Sequence, residues 1–152
     1  MMSLNSVPLV GLRVSLGAYF FYAGVSKIMN PAWTAEGYLK GAQTFPALYE
    51  WFTRPDILPV INMLNEWGLT LVGASLILGA LTRVGAIAGI AIMALYYFPA
   101  LKFPYAGTHA YIVDDHIIFI FAFALLAALN AGRVWGLDKT LSKRKGILSR
   151  FA

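Results

Sequence analysis

The sequence contains no cysteine and few charged residues. Without cysteine sulfur, the chain cannot form disulfide bonds, iron–sulfur clusters or thiolate metal sites. Charged residues make up 12% of the 152 residues, whereas about 25% is usual in soluble domains. Hydrophobic residues make up 59%, and the mean hydropathy is +0.68. This composition predicts a single integral membrane domain over residues 1–152, with no room for a second domain.

Four apolar stretches are long enough to form membrane-spanning helices, which need about 20 residues each. We predict these helices at about 7–28, 60–81, 84–101 and 110–130. A two-residue turn at Thr82 and Arg83 would make the second and third helices antiparallel neighbours. The predicted fold class is all-α, a transmembrane four-helix bundle.

The connection between the first two predicted helices is too polar and too rich in proline to span a membrane. Its aromatic residues are typical of a membrane interface. We expect short interfacial helices at Trp33–Gln43 and Pro46–Phe52, lying over the outer mouth of the bundle. This long outer loop is either a ligand lid or a purely structural cap.

Positive charge is concentrated at the end of the chain, where six Lys and Arg residues lie in the last 20 positions. Such a cluster usually marks the cytoplasmic side and contacts anionic lipid. We predict a multi-pass protein of a prokaryotic-type plasma membrane, with both termini and a basic tail (131–152) in the cytoplasm. No aromatic interleaving or binding fold accompanies the charge, so we expect no nucleic-acid partner.

The predicted topology brings polar and aromatic side chains together at the outer helix ends. We predict that Glu66, Asp115 and His116 are catalytic, because each could donate a proton. The predicted ligand-binding residues are the remaining charged and aromatic groups at this level: Lys27, Trp67, Tyr97, Lys102 and Asp114. Two histidines on one helix cannot hold opposite faces of a haem, and the acids show no specific metal-ligand spacing. We therefore predict no metal site.

A structural alternative exists for these acids. They could pair with Lys27 or Lys102, and the Asp pair could cap the last helix. Adjacent helical residues point about 100° apart, so Asp114, Asp115 and His116 should not all face one pocket. Glu66 lies on a polar stripe with Asn62 and Thr70, which a membrane helix would turn toward the bundle.

One face of the first predicted helix combines small and charged residues. Arg13, Gly17, Phe20, Gly24 and Lys27 recur at helical spacing. The glycines favour close packing against another helix. We expect Arg13 to snorkel to water at the inner end.

Three groups of residues resemble a known family. They are Arg13, Gly24 and Lys27 in the first helix, EWGLTLVG and GALTR within 66–83, and DDH (114–116) followed by GRVWGLD (132–138). Their order is similar to that in the DoxX/DoxD family of small four-helix membrane proteins, which includes the membrane subunit of thiosulfate:quinone oxidoreductase.

The resemblance implies an oxidoreductase subunit that passes electrons to a membrane quinone. The donor would be a small outer-side molecule such as thiosulfate, or a partner subunit. We expect quinone as substrate or ligand, with no haem, flavin or iron–sulfur cluster in this chain. The expected partners are membrane lipids, quinone, and a second subunit or a second copy of the chain. The alternative is a non-catalytic anchor or accessory subunit of a larger redox complex.

Overall fold

Helices dominate the computed structural model, which describes residues 6–107 and 109–143. The long outer loop contains two short helices, and a two-stranded antiparallel hairpin follows the third long helix. In chain order the elements are α1 (Ser6–Ile28), α2 (Glu36–Lys40), α3 (Pro46–Phe52), α4 (Leu58–Leu78), α5 (Thr82–Ala100), β1 (Leu101–Lys102), β2 (Tyr105–Ala106), α6 (Asp115–Ala128), a 3-10 helix (Ala131–Arg133) and α7 (Asp138–Leu141).

Three of the described helices, α1, α4 and α5, are long and apolar enough to cross a membrane. The fourth apolar helix, α6, has 14 residues and is about 21 Å long, shorter than the predicted 110–130. It starts late because Asp114 is extended and caps it, with Asp114 Oδ1 accepting the Ile117 N–H at 3.2 Å. It stops before Asn130, which has a left-handed backbone.

The turn between α4 and α5 lies earlier than predicted. Gly79 (φ 63°) and Leu81 (φ 53°) are left-handed, and Thr82 is already the first residue of α5. Gly79 ends α4 because glycine enters this conformation without a Cβ clash. The Ala80 N–H donates back to the Ser75 carbonyl at 3.0 Å, which closes the turn.

Helix α1 packs closely against α4 through small residues, as the periodicity of its sequence predicted. Gly17 and Gly24 are both buried, and a Cβ at Gly24 would collide with the side chain and backbone of Thr70. Across α5 and α6, Gly89 lies against the ring of Phe123. These contacts bring the helix axes close together and fix which residues meet at each end of the bundle.

The prediction that Arg13 snorkels is wrong. Arg13 is only 1% exposed, and its guanidinium donates to the carbonyls of Ala131 at 2.9 Å and Trp135 at 3.4 Å. Buried Asp138 accepts the N–H groups of Leu81 at 2.6 Å and Thr82 at 3.0 Å. The fold itself supplies acceptors for the two terminal nitrogens of the guanidinium, whereas its buried Nε has no hydrogen-bond partner among the described residues.

We call this part of the molecule the Arg13 end: Arg13, the turn Gly79–Thr82 and the segment 131–138. Residues 131–143 contain two short helices, so this part of the predicted tail 131–152 is folded. Its residues Asp138 and Trp135 contact the helical framework directly. The rest of the predicted tail, 144–152, lies outside the described residues.

Helices α2 and α3 cover the opposite end of the framework. The Tyr49 hydroxyl of α3 donates to the Leu95 carbonyl at 2.9 Å, and the Tyr38 hydroxyl of α2 donates to the Tyr96 carbonyl at 2.5 Å. The Ala35 N–H donates to Asn62 Oδ1 of α4 at 3.0 Å. These bonds attach the long loop to α4 and α5, so it forms one wall of the cavities at this end.

Candidate functional site

The mouth cavity, as we name it, has a volume of about 290 Å³ and lies where α1, the long loop, α4, α5 and α6 meet. Aromatic rings form its walls, and its polar groups include one ammonium group, one imidazole, one amide and the hydroxyls of one threonine and two tyrosines. Its main lining residues are Lys27, Trp33, Tyr38, Asn65, Tyr96 and His116. A few polar groups among apolar walls are typical of a small-molecule site.

His116 is held by a buried carboxylate. Its Nδ1 lies 2.7 Å from Oδ2 of Asp114, which is buried, and 3.3 Å from Oδ1 of Asp115, which is 67% exposed. An ionised carboxylate only accepts hydrogen bonds, so Nδ1 carries the proton in the contact with Asp114. The other ring nitrogen, Nε2, then remains for a ligand.

None of the three cavities is lined by all of Asp114, Asp115 and His116, as expected from the sequence, but the reason is different for Asp114. Asp114 lies outside the helix in an extended conformation, so the 100° rule does not apply to it. Ligand atoms of Asp114, Asp115 and His116 lie within 4.8 Å of one another. Together these three side chains could hold a small cation, and Glu66 does not belong to this group.

Lys27 enters the same cavity from the end of α1. Its Nζ lies 5.2 Å from the ring centroid of Trp33, a cation–π distance, and donates to the Ala23 carbonyl at 3.3 Å. Within the described chain, no carboxylate lies within 4.0 Å of it, so the pairing with Glu66 that the sequence allowed is not formed. The ammonium is therefore free to interact with a negatively charged or carbonyl oxygen of a ligand.

Tyr96 stands at the centre of the site. Its hydroxyl donates to Asn65 Oδ1 at 2.5 Å, and its ring lies 6.0 Å from that of His116, edge to face. Tyr38 covers it from the loop. Burial, and then the charge of Asp114, raises the pKa of the Tyr38 hydroxyl to about 12, so it stays a hydrogen-bond donor at physiological pH.

Two smaller cavities adjoin the mouth cavity, and each has a volume of about 130 Å³. The core cavity continues between α1, α5 and α6 and shares Lys27, Tyr96 and His116 with it. The side cavity continues beneath α2 and α3 and shares Tyr38, Asn65 and Tyr96. Tyr96 lines all three, so the site consists of three adjoining cavities around a single ring.

The structure gathers only some of the predicted site residues. Lys27 and His116 line the mouth cavity, and Asp115 lines the core cavity. Glu66 is half-buried, lines none of the three cavities, and makes no side-chain ion pair within 4.0 Å among the described residues.

The other predicted ligand residues have different positions. Trp67 is exposed on the outside of α4, and Lys102 is exposed on β1. Tyr97 is buried, and its hydroxyl donates to the Ile112 carbonyl at 2.6 Å, which attaches the segment before α6 to α5. Asp114 lines none of the three cavities. Its carboxylate contacts His116 and caps α6.

Most residues that line the mouth cavity were not among the predicted site residues, and they include Trp33, Tyr38, Asn65 and Tyr96. The sequence pattern could have identified Asn65 as a site residue, because it lies three residues after Asn62 on an adjacent part of the polar face of α4. Tyr96 precedes Tyr97 directly, and only the rotation of α5 in the fold decides which of the two faces the cavity. Trp33 and Tyr38 lie in a loop whose position cannot be inferred from local periodicity.

The fold and the site together define a small helical membrane protein with three adjoining cavities at one end of its helices. The DoxX family model matches residues 9–112, more than half of the chain, and the chain belongs to the DoxX family. This confirms the resemblance stated from the sequence. The matched range covers α1 to α5 and ends just before Asp114, so the DDH triplet and the GRVWGLD segment lie beyond it. No curated protein and no solved structure matches the chain significantly.

Proposed function

We propose that the chain is a quinone-reactive membrane subunit that transfers electrons from a small donor, or from a partner subunit, to a quinone in the mouth cavity. One observation carries this proposal: aromatic rings enclose a cavity that also holds one ammonium group and one carboxylate-bound imidazole. A quinone ring stacks on aromatic walls, and its carbonyl oxygens accept hydrogen bonds from such groups.

The residues of the cavity suit the chemistry of quinone reduction. A quinone that gains two electrons must also gain two protons to become a quinol. His116 supplies one from Nε2 when its imidazole is protonated, and the Asp114 carboxylate stabilises that positive charge. The Lys27 ammonium stabilises the negative charge that forms on the other quinone oxygen as electrons arrive, and it donates the second proton to that oxygen. Both groups are replenished with protons through the opening of the cavity.

The proposal includes an arrangement in the membrane. Helix α6 joins the three longer helices as a fourth span, and the basic Arg13 end faces the cytoplasm together with both termini. The mouth cavity then opens on the outer side of a prokaryotic-type plasma membrane, where thiosulfate is the donor that the family resemblance implies. Lipid surrounds the spans, and a second subunit or a second copy of the chain completes the assembly.

A non-catalytic anchor subunit is the second candidate, and a specific observation favours it. Several polar groups at this end already have structural partners: Asp114 caps α6, Tyr97 binds Ile112, and Tyr96 binds Asn65. In this alternative the cavity holds no reacting ligand, and the chain stabilises a larger redox complex.

The test is quinone reduction by the purified chain in lipid nanodiscs, with thiosulfate as donor, for the wild type, His116→Gln and Glu66→Gln. We expect turnover in the wild type. His116→Gln should lower it about 100-fold, because a positioned proton donor contributes about 10²–10⁴. Glu66→Gln should stay close to the wild type, because Glu66 lines none of the cavities.

Two outcomes would contradict this assignment. If the wild type binds no quinone and reduces none, the anchor alternative is favoured. If Glu66→Gln removes turnover and His116→Gln does not, the assignment of Glu66 made from the sequence replaces the one made from the cavity.

A further inference from the structure

The side cavity differs in character from the mouth cavity. It lies between the α2–α3 segment and helices α4 and α5, and most of its lining is aliphatic or aromatic. Among its lining residues are Leu39, Phe52, Ile61, Leu64, Ile92 and Leu95. It adjoins the mouth cavity, and the two cavities share Ala35, Tyr38, Asn65 and Tyr96 as lining residues.

The three tyrosine hydroxyls around the side cavity are already engaged. The hydroxyls of Tyr38, Tyr49 and Tyr96 donate to Tyr96 O, Leu95 O and Asn65 Oδ1 at 2.5, 2.9 and 2.5 Å. A polar ligand group entering here would lose its hydration without gaining these three donors. A hydrocarbon chain has no hydrogen bonds with water to lose, and it buries apolar surface when it enters. The lining therefore favours a hydrocarbon chain over a polar group.

The side cavity also opens toward the lipid. Two of its lining residues, Leu64 on α4 and Leu95 on α5, are 58% and 49% exposed. Both belong to helices that are long and apolar enough to cross the membrane, so their outward surfaces face acyl chains. The side cavity therefore lies between the lipid-facing surface and the mouth cavity, the position that a passage for a hydrocarbon chain would have.

We propose that the site takes an amphiphile whose ring lies in the mouth cavity beside His116 and whose hydrocarbon chain leaves through the side cavity between Leu64 and Leu95. This inference rests on the proposed function and narrows its substrate to chain-bearing quinones rather than water-soluble ones. The mouth cavity, at about 290 Å³, is at the small end of ligand sites, which span about 300–1,000 Å³. It suits a ring and leaves the chain to the side cavity.

The experiment compares two quinones with the same ring, one with a decyl chain and one with a methyl group. Affinity is measured for the wild type, Leu64→Trp and Leu71→Trp at one detergent concentration. Leu71 is the matched control because it lies two turns further along the same face of α4, is 62% exposed, and lines none of the cavities. Because the decyl chain also partitions into detergent, the comparison between variants decides the result.

We expect the wild type and Leu71→Trp to bind the decyl quinone at least about tenfold more tightly than the methyl quinone, because each buried methylene favours binding. In Leu64→Trp the indole occupies the passage, and the ratio of the two affinities should fall close to one. Mass spectrometry of the purified wild type should find quinone, and the fraction carrying it should fall in Leu64→Trp.

Each other outcome overturns the inference in a distinguishable way. If neither quinone binds the wild type, the proposed function fails together with it. If both bind equally well, or if the ratio is the same in all three proteins, the passage has no role while the proposed function stands. If a phospholipid occupies the passage and Leu64→Trp removes it without changing quinone affinity, the occupant is a membrane lipid.

Discussion

At the scale of the residue, the contact between Asp114 and His116 decides what the site can do. Asp114 has two separate tasks, because Oδ1 caps α6 and Oδ2 binds the imidazole. The cap stabilises the helix, whereas the second contact sets which ring nitrogen carries a proton. These tasks can be separated by substitution, since asparagine is as good a helix cap as aspartate.

We predict that Asp114→Asn keeps the melting temperature and loses most quinone turnover. The amide still caps α6 but no longer stabilises a positively charged imidazole. Asp114→Ala should lose turnover and also about 1 kcal/mol of stability, because its cap is gone. Thermal unfolding and turnover are measured on the same preparations. Full turnover in Asp114→Asn would show that the carboxylate serves only as a cap.

At the scale of the element, the Arg13 end holds together segments that are far apart in the chain. Arg13 of α1 binds carbonyls 118 and 122 residues later, and Asp138 binds the N–H groups that start α5. Gly79 and Gly132 make room for these side chains, because a Cβ at either would collide with Arg13 or Asp138. These residues belong to the motifs that resemble the family, and here their role is structural.

The variant Arg13→Met tests this role, with Arg83→Met as the matched control. Both remove one positive charge at the same end, but Arg83 is exposed. Arg13→Met removes the guanidinium donor from the Trp135 carbonyl and from the buried Ala131 carbonyl, which keeps only the Val134 N–H at 3.2 Å, and the loss of these charge-assisted hydrogen bonds should cost about 1–3 kcal/mol in all. We expect a clear fall in melting temperature for Arg13→Met only. Equal melting of the two variants would show that Arg13 stabilises nothing.

At the scale of the whole molecule, charge divides the chain into two ends. Of the twelve Lys and Arg residues, those at the Arg13 end or following it in the chain are Arg13, Arg83, Arg133, Lys139, Lys143, Arg144, Lys145 and Arg150. The carboxylates other than Asp138 lie in the other half of the bundle or in the long loop. An excess of basic residues favours the cytoplasmic side.

A topology experiment tests this arrangement. A reporter fused after Ala152 should be cytoplasmic, and one inserted at Gly41, between α2 and α3, should be outside. Gly41 suits insertion because it is exposed and a Cβ there would meet only its own loop. The reverse pattern would place the mouth cavity on the cytoplasmic side and remove an outer-side donor from the proposal.

Much of the fold could be predicted from the sequence because local patterns carry it. Apolar runs of helical length predicted α1, α4 and α5. Glycines at helical spacing predicted the face of α1 that packs against another helix, which is α4. The predicted start of α6, at about residue 110, is earlier than the observed start at Asp115. The capping residue Asp114 is nevertheless visible in the sequence. An N-cap aspartate is outside the helix, and this also explains how the Asp114 carboxylate reaches His116 although it lines none of the cavities.

The sequence by itself determined a membrane protein of the DoxX family and the end of the helices at which Lys27 and His116 meet. Only the tertiary structure decided that Tyr96 rather than Tyr97 lines the cavity, that Glu66 stays outside it, and that Arg13 is buried. The reason is physical. Local sequence fixes the φ and ψ angles of a segment, but the neighbours of a side chain depend on helix rotation and on contacts more than 100 residues apart, such as Arg13 with Ala131.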